Sequence, residues 1–345
     1  MTTIESKPPR LSNIELLRII AMFMVLGVHA NFYALGTPTG ATINDNPPSA
    51  AIRIVLCITC CMCVNLFILI SGLFSIKPSI KGFCRFIFQC LYFSLGIYTI
   101  LIILGKAHFS ISEITQCFYF SKWDWFIKAY IGLYILSPVL NAFVEKVTKK
   151  QMQYFLISFY LFQTLYSIRG SAIFICSGYS TFSFIGLYMI GRYLSIYGIE
   201  KINRKQLLTA VFIPIILVSS IYYWDAGRDA FLFSGMSMSY ANPIMIIAAA
   251  ALTMLFVKMK IKHNKIINYI SASAFAAYLL HYDPHILKTW FCKISQTIFT
   301  NFEGLSCLSM EILFLITVFA ISVLLDQPRK WIWNKLEIKF FRKVQ

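Results

Sequence analysis

Charge is scarce in this chain, and acidic charge is the scarcest. Only 13% of its 345 residues are Asp, Glu, Lys or Arg, and just 14 are acidic against 31 basic. A soluble domain carries roughly twice that charged fraction, so the composition excludes an ordinary soluble protein. Internal repeats and low-complexity tracts are absent, which argues against solenoid or linker architectures. No shift in composition marks a separate soluble domain, so residues 1–345 read as one unit.

What fills the space is apolar. The chain is 58% hydrophobic, with a mean hydropathy of +0.70. The apolar residues come in runs near the roughly 20 needed to cross hydrocarbon. The expected fold is all-α, a polytopic membrane bundle of about ten helices. The runs fall at 13–35, 51–74, 83–104, 124–143, 153–168, 181–199, 207–224, 241–259, 266–286 and 308–325. The first is not expected to be a cleaved signal, because Glu15 and Arg18 interrupt the apolar region that a signal peptide needs.

Basic residues set an expected orientation. With the N-terminus cytoplasmic, 22 of the 31 Lys and Arg fall on the inner side: the N-terminus, 75–86, 144–152, 192–206, 258–265 and the tail. The outer loops hold six: Lys106, Lys122, Arg169, Arg228, Lys288 and Lys293. This positive-inside bias predicts both termini in the cytoplasm of a cell that places the protein in its cytoplasmic (inner) membrane. It also accounts for the net charge of +17 by attraction to membrane lipid headgroups, with no nucleic-acid partner.

Ten cysteines are present, four of them within Cys57-Ile58-Thr59-Cys60-Cys61-Met62-Cys63. Soft thiolates can hold zinc, but no His or carboxylate stands near this apolar segment. Packing is the expected role, since free cysteine behaves as a small buried hydrophobe, and no metal site is expected. Chemistry must come from the few polar groups in the spans. Arg18 and His29 are eleven positions apart, about 1100° of helical turn, so they share a face about 16 Å apart along the axis. Ionisable groups are costly in a bilayer and are usually kept there for function. Snorkelling of Arg18 to headgroups and an interhelical hydrogen bond from His29 are the structural alternatives.

Other polar candidates are fewer. Asp124 and Lys128 lie one turn apart and can simply pair with each other. Trp123, Trp125, Trp224 and Trp290 sit near span ends, where aromatic anchors are common, and contact with a sugar ring is the second reading. His281 lies at about the same depth in the ninth span as His29 in the first, and is followed by Asp283, Pro284 and His285. Pro284 is placed to end or kink that helix. Capping is one role for His281, orienting an acceptor or steadying developing charge the other.

These residues resemble a known family. Asn13-Ile14-Glu15-Leu16-Leu17-Arg18, with His29 eleven residues beyond Arg18, is similar to the Arg-x10-His signature of the acyltransferase-3 family, bacterial integral-membrane enzymes that acylate cell-surface carbohydrates. In the same order follow Val64 to Phe74 with its Ser71-Gly72, Trp125 to Pro138 with Tyr130 and Tyr134, and Tyr278-Leu279-Leu280-His281. The resemblance runs from about residue 11 to 335. One departure is Lys81-Gly82-Phe83-Cys84-Arg85, where the family often carries Arg-x-x-Arg.

The resemblance implies O-acyl transfer, most often of acetyl from acetyl-CoA, to a hydroxyl of a surface polysaccharide or its lipid-linked precursor. It implies His29 as catalytic residue, and Arg18, Lys81 and Arg85 toward the donor. His281, Asp124 and Trp125 are the candidates for substrate binding. Imidazole suits the base role because its ordinary pKa of about 6.5 leaves a neutral base at pH 7. Phosphates of coenzyme A suit cationic partners. A covalent acyl-histidine and direct transfer both remain open. The rival reading, a transporter or flippase for a glycan or its lipid-linked precursor, also tolerates buried charge but lacks paired Gly/Pro-interrupted spans.

Overall fold

The computed structural model describes residues 10–119, 125–168, 173–198, 201–228 and 234–341, and among them every regular element is helical. The first half runs α1 (Ser12–Val28), a π-helical turn (His29–Tyr33), α2 (Gly40–Asp45), α3 (Pro47–Cys60), α4 (Cys63–Phe74), α5 (Ile80–Ile103), α6 (Ile111–Tyr119), α7 (Trp125–Lys146) and α8 (Lys149–Ile168). The second half runs α9 (Thr181–Tyr197), α10 (Arg204–Gly227), α11 (Ser234–Ser237), α12 (Pro243–Lys258), α13 (Lys265–Ser271), α14 (Ala274–His281), α15 (Pro284–Ile286), α16 (Cys292–Asn301) and α17 (Gly304–Phe341).

Helix starts are written into the sequence. Ser79, Ser180, Asn203, Asn242 and Asn264 each accept a hydrogen bond from a backbone N–H of the first turn that follows. These caps satisfy donors that have no partner inside the helix. At the other end of α12 the Asn13 amide, on α1, donates to the carbonyls of Phe256 (2.8 Å) and Met259 (3.2 Å). The start of the first span is thereby tied to the end of the eighth.

Among the described residues, six helical stretches are long and apolar enough to cross a membrane: 12–33, 47–74, 80–103, 125–146, 204–227 and 304–341. Of the other four expected runs, 153–168 lies in α8, which is long but less apolar, those from 181 and 241 form the shorter helices α9 and α12, and 266–286 is broken. The second span breaks between Cys60 and Cys63, and the ninth at Ala272–Ser273 and again after His281. The second of those breaks is the one Pro284 predicts. Asp283 caps the new start by accepting from the N–H of His285 (3.0 Å). The last helix departs from expectation. It has 38 residues, about 57 Å at 1.5 Å per residue, against a hydrocarbon core of about 30 Å. It therefore continues past residue 325 as a helix that carries basic residues out of the apolar layer.

α4 packs closely on α9. A Cβ on Gly72 would lie 2.3 Å from the Tyr188 carbonyl oxygen and 2.9 Å from the Gly191 Cα. A Cβ on Gly191 would lie 2.4 Å from the Leu69 carbonyl oxygen. Such small-residue contacts let backbones meet where lipid offers no hydrophobic drive. Here lies the physical use of the Ser71-Gly72 motif.

The loop after α4 is pinned just as firmly. The Ile76 N–H donates to the Tyr188 hydroxyl (3.0 Å), and the Asn141 amide donates to the Ile76 carbonyl (2.9 Å). The Tyr134 hydroxyl accepts from the Ser79 N–H (2.8 Å) and donates to the Ser79 carbonyl (3.0 Å). The start of α5, with Lys81 and Arg85, is thus held against α7. The charge bias carries a test of orientation. A reporter active only outside the cytoplasm, fused after Gln345, should stay dark, and a bright signal would invert the assignment.

Candidate functional site

α1 positions the first pair of groups. On a 3.6-residue helix, Arg18, Met22, Val25 and His29 form one stripe. Met22, Val25 and His29 all line a cavity of about 280 Å³, which begins one turn beyond Arg18 and extends past the imidazole to Phe32 and Tyr33. Arg18 itself donates to Glu15 Oε1 (2.9 Å) and lies over the Phe74 ring. Glu15 is buried at 4% exposure. It also accepts from the Ser271 hydroxyl on α13, at 2.5 Å, and pairs with Arg10 at 3.7 Å. The carboxylate that seemed only to interrupt an apolar run orients the arginine. Its signal was the three-residue spacing to Arg18, which suits an ion pair on one helix face.

At His29 the α-helix opens into a π turn, in which the Ala34 N–H reaches the His29 carbonyl. Such turns insert a residue and re-aim side chains, frequently at functional sites. A second π turn, Leu287–Phe291, follows the break after α14. Neither was legible from hydrophobic periodicity, which is too coarse to register one extra residue.

His281 meets His29 directly. His29 Nδ1 and His281 Nε2 are 2.7 Å apart, and His281 is buried at 1% exposure. The other nitrogen of His281, Nδ1, bonds the Ala277 carbonyl. A carbonyl only accepts, so in the neutral pair His281 carries its proton on Nδ1 and presents a lone pair at Nε2. His29 must then donate from Nδ1, which leaves Nε2 as its basic nitrogen. Tyr282 stacks on the His29 ring at 4.7 Å between centroids, and Tyr33 meets it edge-on at 6.2 Å. The imidazole is therefore fixed in tautomer and in plane.

The cavity is mostly apolar and aromatic. Trp125 lines it and packs on Tyr179 (4.4 Å) and Tyr240 (5.8 Å), with Phe126, Phe275 and Tyr278 nearby on the same wall. Cys61 and Cys63 also line it, because the break between α3 and α4 turns that segment toward the site. None of the ten cysteines is in a disulfide, and no cluster of His, Cys, Asp or Glu suited to a metal occurs among the described residues. Asp124 lies outside the described residues. His281 does not line the cavity; it sits behind His29.

Lys81 and Arg85 belong to the other end, beside Arg10. Lys81 Nζ pairs with Glu337 Oε1 at 2.5 Å. Arg85 lies within electrostatic reach of Arg329, Glu337, Arg10 and Asp326. The structure thus brings His29 and Trp125 together in the cavity lining, with His281 behind His29, and Lys81 and Arg85 together at the basic end. Arg18 lies between the two.

The cavity is lined by an imidazole at a π turn, on the helix face that also carries Arg18. No curated protein and no solved structure matches the chain. The family model described as an acyltransferase domain, Acyl_transf_3, matches residues 11–326. Nearly the whole chain, with its membrane-length apolar helices, thus belongs to the acyltransferase-3 family of multi-pass membrane acyltransferases.

Proposed function

We propose that this protein is an O-acyltransferase of the cell membrane. It moves an acyl group, acetyl in the simplest case, from acyl-CoA to a hydroxyl of a surface polysaccharide or its lipid-linked precursor. The observation that carries this reading is His29: a half-buried imidazole at a π turn, lining the cavity, with Nδ1 held by His281. In the transfer step His29 Nε2 takes the proton of the acceptor hydroxyl as its oxygen attacks the thioester carbonyl. The carbon–sulfur bond then breaks, and the thiolate leaves with the proton returned from the imidazolium. Base catalysis of this kind is worth on the order of 10²–10⁴-fold.

His281 acts as a positioning residue in this scheme. Its lone pair at Nε2 accepts from His29 and steadies the imidazolium formed during transfer. Burial behind the ring suits that work better than direct contact with an acceptor. The apolar lining excludes water, which protects a thioester from hydrolysis. Aromatic rings such as Trp125 offer flat faces to a sugar or to the acyl arm. The donor enters from the basic end, placed in the cytoplasm by the charge bias, with Arg18 at the start of the stripe that leads to His29.

Mass spectrometry of surface glycans from cells with and without the gene tests the reading. Loss of one acyl mass per modified residue, with the glycan still exported, is the expected result. Loss or stranding of the whole glycan would instead support a flippase and overturn the proposal.

A further inference from the structure

The π turn that begins at His29 is held by residues that the transfer step does not use. Arg53, on α3, is buried at 8% exposure, and an ionised group in an apolar layer is costly and usually kept for a purpose. Its Nε donates to Asn31 Oδ1 (3.0 Å), and its Nη2 donates to the Gly36 carbonyl (2.6 Å), with the Asn31 carbonyl at 3.5 Å. The Asn31 amide donates in return to the Arg53 carbonyl (2.9 Å). Every one of these bonds ties α3 to the chain between 31 and 36. The guanidinium also lies over the Phe299 ring of α16, at 5.2 Å.

α16 grips the same segment. The Gln296 amide donates to the Ala34 carbonyl (2.7 Å), and Ala34 is the residue whose N–H closes the π turn on the His29 carbonyl. The helix begins directly after the second π turn, whose Phe291 packs on His281 at 4.9 Å between centroids. One short helix thus touches both turns and the backing of both histidines. A π turn is an uncommon arrangement inside a helix. Relaxing it to regular α-helix would rotate the residues beyond it by about 100°, the turn of one residue. Phe32 and Tyr33 line the cavity and would leave its wall, and the edge-on contact of Tyr33 with His29 would go with them.

We infer that Arg53 and Gln296 are positioning residues for the acceptor end of the cavity. Neither lines the cavity itself; Arg53 acts through Asn31 and Gly36, and Gln296 through Ala34. Direction assigns them to the acceptor. The donor's thioester reaches His29 along the stripe from Arg18, whereas Phe32 and Tyr33 lie beyond His29, in the space left for the hydroxyl-bearing partner. The acceptor assignment rests on the acyl-transfer reading above, but the clamp on the turn does not.

The test uses the full-length protein in nanodiscs, with acyl-CoA and de-acylated glycan varied in turn. Arg53→Met should lower kcat/KM for the glycan by about tenfold or more, within the roughly 10²-fold that a misplacement of about 1 Å can cost. KM for acyl-CoA should stay within about twofold of wild type, because uniform binding of the donor is untouched. Arg53→Lys should recover only part of the loss, since the planar fork that reaches two partners at once is gone. Asn31→Ala, a milder change, should reproduce most of the loss. Adding it to Arg53→Met should cost little more, as coupled residues of one network do. Backbone hydrogen exchange, which reports local opening, should rise over 29–36 in Arg53→Met and stay at the wild-type level over 12–28.

Unchanged exchange over 29–36 overturns the clamp, even in a variant that has lost activity. A rise spread over the whole of 12–36 overturns it too, by making Arg53 a general prop of the fold. Fully additive losses in the Arg53 and Asn31 pair would show that one does not act through the other. Equal losses toward acyl-CoA and glycan would overturn the acceptor assignment. Exchange that rises over 29–36 alone, in a protein whose wild type transfers from no thioester, would support the clamp while removing the acyl-transfer reading.

Discussion

Replacing His29 by alanine should abolish acylation of the glycan while the protein remains inserted and expressed. The expected loss is on the order of 10²–10⁴-fold, the usual worth of a positioned base. The paired histidines sharpen the test. His281→Phe removes the acceptor that fixes the tautomer of His29, whose Nδ1 lies 2.7 Å from His281 Nε2. His281→Gln keeps an oxygen acceptor at a similar reach. Activity should therefore fall steeply in the phenylalanine variant and be partly restored in the glutamine variant, with kcat affected more than KM. Near-normal acylation in His29→Ala would remove the base assignment outright. Equal loss in both His281 variants would reduce that residue to packing.

The largest effect on folding is expected at the contact of α4 with α9. Gly191→Ala puts a methyl 2.4 Å from the Leu69 carbonyl oxygen. Backbone cannot yield as a flexible side chain does, so the two helices must separate. Overpacking of this kind costs typically about 1–3 kcal/mol. Gly96→Ala, on α5, is the matched control, because its Cβ would meet nothing within 4 Å. That change should be neutral or stabilising, by up to about 1 kcal/mol, since alanine loses less conformational freedom in a helix than glycine. Thermal melts of both variants in one detergent decide the matter. Equal melting temperatures would show that the close approach carries no weight.

Much of the candidate site was legible in the sequence because helices have a fixed period. The eleven-position step from Arg18 to His29 puts both on one stripe, and the cavity begins along it at Met22. Matching depth on two spans that both run outward set His29 and His281 level, and Pro284 marked the break after His281. What periodicity could not show was tertiary. The π turn at His29 depends on one inserted residue, and the turn of Cys61 and Cys63 into the cavity depends on a break between two apolar helices.

Charged residues past 325 read as a solvated tail, because a hydropathy pattern ends where charge begins. In the fold α17 continues, and Asp326 and Arg329 bury each other through an i,i+3 pair. Likewise Ser71-Gly72 stood out as a motif, yet its partner Gly191 lies 119 positions away in the chain. No local signal connects them.

The account's central claim is acyl transfer by this protein with His29 as base. Its most direct test is transfer in a defined system. Purified protein in nanodiscs is supplied with acyl-CoA labelled in the acyl carbon and with de-acylated glycan from cells lacking the gene. The account predicts label in the glycan with wild-type protein and none above background with His29→Ala. Label that appears equally with both proteins, or with neither, would contradict it.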